Sequence, residues 1–287
     1  MPAIKKVIQN YPLWSFFILA FLFTWLNWVP QALTSRGVIN YKIPTFAPII
    51  AGYGPALSAI IITALTSGMT GIKKLFRRVV QWRVGLKWYS VVLLLPAAII
   101  MAALVLHQLL RIDSDEVAPH QLLNLGSPGT PVFIQILILS IVFIIGFDGF
   151  GEELGWRGFA LPGLLKKYSA LTASLVLGTI WAVWHLPYAM TVGTSMSEHP
   201  FLYFVPGIIA SSILSTWIYN NTNGSILMVI LFHATGNLCY VVLPVFFPGV
   251  SSAGSLTTII QWLVVLIVIL VEGPKYLSRN SQLKKDV

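Results

Sequence analysis

The chain has 287 residues, of which 56% are hydrophobic and only 9% charged, and its mean hydropathy is +0.81. A soluble domain carries about 25% charged residues, so this composition excludes a soluble globular protein, a disordered chain and a disulfide scaffold, and it specifies a polytopic all-α membrane protein. Cys239 is the single cysteine and has no partner for an internal bridge. A net charge of +9 would suit nucleic acid in a soluble protein. In a membrane protein it reflects lysine and arginine gathered beside anionic lipid, and no nucleic-acid partner is expected.

A bilayer-spanning helix needs roughly 20 mostly apolar residues. Apolar runs predict eight such helices, at about 12–33, 46–67, 88–110, 131–154, 169–190, 201–219, 225–247 and 255–272. The first follows Lys5 and Lys6, as a signal peptide would, but no small-residue cleavage site follows it, and Trp25, Trp28 and Pro30 interrupt its end. It is read as an uncleaved span. Tyr11, Trp14, Trp88, Tyr89, Tyr203 and Tyr219 lie near span ends, as interfacial aromatic belts do. Continuous apolar runs, rather than ten-residue alternating segments, argue against a barrel. No linker, low-complexity tract or repeat interrupts the chain, so residues 1–287 are expected to form one integral-membrane domain.

With eight spans, the even-side segments hold 15 of the 18 basic residues. They comprise Lys5 and Lys6, the cluster from Lys73 to Lys87, Arg157 with Lys166 and Lys167, and the C-terminal group from Lys275 to Lys285. The other side holds Arg36, Lys42 and Arg111 and the acidic run Asp113, Asp115, Glu116. The positive-inside rule therefore places both termini in the cytoplasm. The basic 68–87 segment is expected to lie against lipid headgroups.

A charge at the bilayer centre costs at least about 2.5–3.5 kcal/mol, so ionisable residues within spans point to function. Those within spans are His107, Asp148, Glu152, Glu153, His185 and His233, joined by the polar Asn237. His107 lies near the outer end of its span and is assigned to the interface. Glu153 and Arg157 are four residues apart, glutamate first, which suits an intrahelical ion pair. Glu152 then points about 100° away, with no cation on its own face, where it is suited to take a proton from water. Glycines 151, 155 and 158 permit close helix approach. His185 ends an apolar helix before Pro187, and His233 and Asn237 share one face of the seventh span. Taken singly, His185 fits a packed structural histidine, and His233, Gly236 and Asn237 fit a helix–helix contact.

Together these residues say more. The basic turn at Lys166 and Lys167 lies midway between Glu152 and His185, so helices folding back about it bring the two level. A glutamate, two histidines and an asparagine can then polarise one water molecule, the glutamate taking its proton. Glu152, His185 and His233 also make a set that zinc accepts, although the H-E-x-x-H spacing is absent. Zinc and no metal at all both remain open.

The segments Glu152-Glu153-Leu-Gly-Trp-Arg157, Trp181-Ala-Val-Trp-His185 and His233-Ala-Thr-Gly-Asn237 resemble the pattern of the CAAX-protease and bacteriocin-processing (CPBP, or Abi) family of intramembrane proteases. That family is related to the prenyl-protein endoprotease of the eukaryotic endoplasmic reticulum. The resemblance covers about 130–245. It departs from the family pattern at Trp181, where phenylalanine is usual. It implies an eight-helix bundle and peptide hydrolysis within the membrane. Glu152 would activate the water with His185, His233 and Asn237 in support, and Glu153 and Arg157 would shape the site. The substrate implied is a peptide or protein, lipidated or membrane-embedded. Family members are described both as metalloproteases and as glutamate-type proteases. Two other readings compete: a proton-coupled transporter, whose internal repeat the chain lacks, and a non-catalytic immunity or scaffold protein on a protease-derived fold.

Overall fold

A computed structural model describes residues 2–42, 44, 47–112, 130–146, 149–247, 249–250 and 253–279, and every regular element among them is helical. Asp148 and the acidic run Asp113, Asp115, Glu116 lie outside the described residues. Among the described residues, seven helices are long and apolar enough to cross a membrane, and the protein is an integral multi-pass membrane protein.

After a short amphipathic helix α1 (Pro2–Asn10), α2 (Pro12–Ser35) begins with proline in its first turn, where the missing N–H costs nothing. One face of α2, with Phe17, Ala20, Thr24, Trp28 and Gln31, is buried, while Ile18, Leu22 and Leu26 are exposed. Both sets recur every three or four residues, so the helix presents one stripe to the protein and another to lipid. On α13 (Gly254–Glu272), the exposed Ile259, Leu263, Leu266 and Leu270 form the same kind of stripe.

The short α3 (Ala47–Gly52) leads into α4 (Gly54–Val79), which breaks at Gly68, with φ 61° and ψ −159°. A side chain would oppose that conformation. The break falls where the apolar run ends, and the basic segment beyond it continues as helix to Val79. Then follow α5 (Leu86–Leu109) and α6 (Val132–Ile141), a π-helical turn at Val142–Gly146, and α7 (Gly149–Gly155). A second π turn (Trp156–Ala160) and α8 (Leu161–Leu165) complete one long apolar unit.

The fifth expected span is shorter than the others. Helix α9 (Ala170–Trp184) is 15 residues long, and α10 (Leu186–Ala189) continues it after a step at His185. Pro187 has no N–H for the carbonyl one turn earlier, which breaks the helix there. Ser169 caps α9 by accepting from the Thr172 N–H at 3.1 Å. The backbone carbonyls of Pro274 and Lys275, past the end of α13, accept the N–H groups of Leu171 and Ala170. Helices α11 (Phe204–Asn221) and α12 (Ile226–Phe246) follow, the latter capped by Ser225.

Helix α7 sits in the angle between α3 and α4. A Cβ at Gly151 would lie 2.9 Å from the Gly52 carbonyl oxygen, and one at Gly155 would lie 2.5 Å from the Pro55 backbone. The small residues thus let α7 touch a backbone from the first half of the chain. No such approach occurs at Gly236, where an added Cβ meets none of the described atoms within 4 Å. Gly155→Ala is therefore expected to cost about 1–3 kcal/mol by overpacking, read as a lowered unfolding temperature in detergent. Gly236→Ala should be neutral or slightly stabilising. Equal behaviour of the two variants would contradict the packing described.

Candidate active site

Glu152 and Glu153 lie on α7, and both are buried, with relative exposures of 3% and 0%. The ion pair expected from their spacing is present: Arg157 Nη1 donates to Glu153 Oε1 at 2.9 Å, with both side chains fully buried. The same oxygen accepts from His233 Nδ1 on α12 at 2.8 Å. His233 thus meets Glu153 through Nδ1. The arrangement leaves Glu153 Oε2 and Arg157 Nε and Nη2 buried without a hydrogen-bond partner among the described residues. Such an incomplete polar set inside a protein is costly.

Glu152 is held differently. Its Oε2 accepts from the indole Nε1 of Trp181 at 2.5 Å and from that of Trp156 at 3.3 Å. Trp156 is fully buried against Phe16 and Phe17 of α2 and Trp184 of α9, with ring centroids 5.6, 6.4 and 5.7 Å away. Trp181 stands at the centre of the site. The Arg157 guanidinium lies 4.4 Å over its ring, a cation–π contact, and the His233 imidazole meets it edge-on at 5.4 Å. The folding back of the chain about the Lys166 turn therefore brings Glu152 level with the end of α9, and the residue that bonds it there is Trp181, one turn before His185.

His185 is 9% exposed. Its Nδ1 lies 2.9 Å from the Trp181 carbonyl oxygen, and because a carbonyl only accepts, Nδ1 carries the proton. The ring stacks on Trp28 of α2 at 6.0 Å and meets Trp184 edge-on at 4.7 Å. In a neutral ring so anchored, Nε2 is the acceptor; His233 instead directs its Nδ1 to the Glu153 carboxylate. Asn237 lies one turn beyond His233 on α12 and is partly buried.

Two anchored imidazoles resemble the way metal-ligating histidines are oriented. However, no three His, Cys, Asp or Glu side chains among the described residues converge to hold a metal ion. Glu152 Oε2 faces two indole N–H groups and His233 is turned to Glu153. Glu152, His185 and His233 do not converge as a three-ligand zinc site in this structure.

Sequence reasoning missed the two indole donors and the contribution of α2. Its available signals were Trp181 at a position where phenylalanine is usual, and the rule that a buried Trp N–H finds an acceptor.

Residues 131–239 match the profile of the Type II CAAX prenyl endopeptidase Rce1-like family. This segment of the chain is similar to an Rce1-like CAAX-protease domain. The matched segment contains every candidate site residue from Glu152 to Asn237. Over 231 residues the chain is 26% identical to CAAX prenyl protease 2 of Methanococcus maripaludis, covering 78% of this chain and 82% of that protein.

Proposed function

We propose that this protein is an intramembrane endopeptidase in which Glu152 activates the attacking water. The observation that carries the reading is a buried carboxylate fixed through one oxygen by two indole N–H groups, beside a neutralised Glu153–Arg157 pair, inside the matched domain. Fixing Oε2 sets the direction of the other oxygen, which takes the proton as water attacks the scissile carbonyl. The C–N bond then breaks, and Glu152 returns the proton to the leaving amine. The Asn237 amide is assigned to the oxyanion, because it donates without ionising. The histidines are assigned to orienting water, His185 through its Nε2 acceptor. Glu153 and Arg157 hold α7 and the face of Trp181 in place. The relative is named a CAAX prenyl protease, which supports a prenylated CAAX peptide as the substrate class here.

Trp181→Phe tests the positioning of Glu152. It keeps the ring and removes only the N–H. Losing one hydrogen bond to a charged group predicts a fall in kcat of about tenfold or more, with KM little changed. An unchanged kcat would remove Trp181 from the mechanism.

The orientation follows the charge count, with both termini and the basic end of α4 in the cytoplasm. Reporter fusions after residues 80 and 120 should report opposite sides of the membrane. The same side for both would overturn the eight-span arrangement.

A further inference from the structure

A second polar feature lies away from the glutamates, at the end of the bundle where α5 begins and α11 and α13 end. A cavity of about 500 Å³ opens there, lined among others by Arg83, Lys87, Asn221, Thr222, Glu272 and Arg279. Three cations and one carboxylate face it, an excess of positive charge; Glu272 Oε2 accepts the backbone N–H of Arg279 at 2.8 Å, and Arg279 Nε donates to the Val271 carbonyl at 2.5 Å. Among the described residues, none of the three cations forms an ion pair.

The walls are fixed. Asn221 donates to the Trp217 and Leu277 carbonyls and accepts from Ser278, and Gln81 donates to the carbonyls of Thr222 and Asn223. Arg83 and Lys87 are exposed, and each lies over a tryptophan ring, Trp82 and Trp88, at 5.3 and 5.4 Å. Gly85, also in the lining, is the N-cap of the 24-residue α5 and supplies no side-chain cap. The first N–H groups of that helix, with the positive end of its dipole, therefore add to the charge of the side chains. Beside this polar recess, Leu86 of α5 and Leu270 of α13 are 82% and 75% exposed.

We infer that this cavity binds the phosphate of an anionic phospholipid, with the acyl chains lying on the exposed leucines of α5 and α13. A basic recess between span ends is the form headgroup sites take, and the exposed Trp82 sets it at the level of the interface. A free phosphate would use the cations and the helix end but not the apolar flank. The site shares no residue with the glutamate cluster, so it stands or falls independently of the proposed reaction.

The test uses the full chain, purified in a neutral detergent, titrated with short-chain phosphatidylglycerol, phosphatidylcholine of the same chain length, or inorganic phosphate, with unfolding temperature as readout. Phosphatidylglycerol should raise the unfolding temperature of the wild type. Arg83→Gln with Lys87→Gln should weaken that response at least about tenfold, the effect of losing one charge-assisted hydrogen bond. Arg279→Gln, made separately, should weaken it as well. Lys73→Gln with Lys74→Gln, charges that do not line the cavity, should leave it intact. An equal response in wild type and in Arg83→Gln/Lys87→Gln would overturn the site. A full response to inorganic phosphate or to phosphatidylcholine would overturn its assignment to an anionic lipid.

Discussion

Arg157→Leu is expected to be the most destabilising single substitution in the site. Arg157 and Glu153 are both fully buried and 2.9 Å apart, so removing the guanidinium strands a carboxylate inside the protein. Breaking a buried pair costs about 3–5 kcal/mol. The variant also loses the cation from the face of Trp181, worth roughly another 0.5–2 kcal/mol. Glu153→Gln should be milder, because its amide oxygen still accepts from Arg157 and His233. The double variant Glu153→Gln/Arg157→Leu should lose less than the sum of the two, since no charge is then left unpaired. Thermal unfolding in detergent, with a double-mutant cycle, measures this directly. Additive losses would show that the pair is not coupled.

Glu152→Gln should behave in the opposite way. Its fold should survive, because the amide oxygen can still accept from Trp181 and Trp156 in place of the carboxylate Oε2. Turnover should fall to background, because an amide takes no proton from water. The contrast between neighbouring glutamates, one governing stability and the other chemistry, is the mark of the assignment. A Glu152→Gln protein with unchanged unfolding temperature and wild-type turnover would remove the proposed role.

The spans were readable because lipid leaves its mark on composition. Ile18, Leu22 and Leu26 face outward at helical spacing, and continuous apolar runs follow from that solvent. The Glu153–Arg157 pair was readable because spacing along one helix fixes it. Contacts between helices far apart in the chain were not. Nothing in the local sequence shows that His233 turns to Glu153, 80 residues away, or that Trp181 bonds Glu152 across 29 residues. The part played by the first half was equally hidden. Phe16, Phe17 and Trp28 are apolar residues in an apolar helix, and only packing reveals that they wall Trp156 and His185. Gly155 signalled a close approach, but its partner, the Pro55 backbone, depends on the break between α3 and α4. The step at His185 was written locally by Pro187, and it accounts for a fifth helix shorter than its neighbours.

The most direct test of the central claim is hydrolysis itself. Purified wild-type protein and Glu152→Gln, matched for folding by their unfolding temperatures, would be reconstituted in lipid and incubated with libraries of lipidated and unlipidated peptides. Products would be read by mass spectrometry. The proposed function predicts discrete shorter peptides, with water added across one bond, from the wild type alone and with lipidated peptides preferred. No cleavage of any peptide by the wild type, or the same products in equal yield from Glu152→Gln, would contradict it.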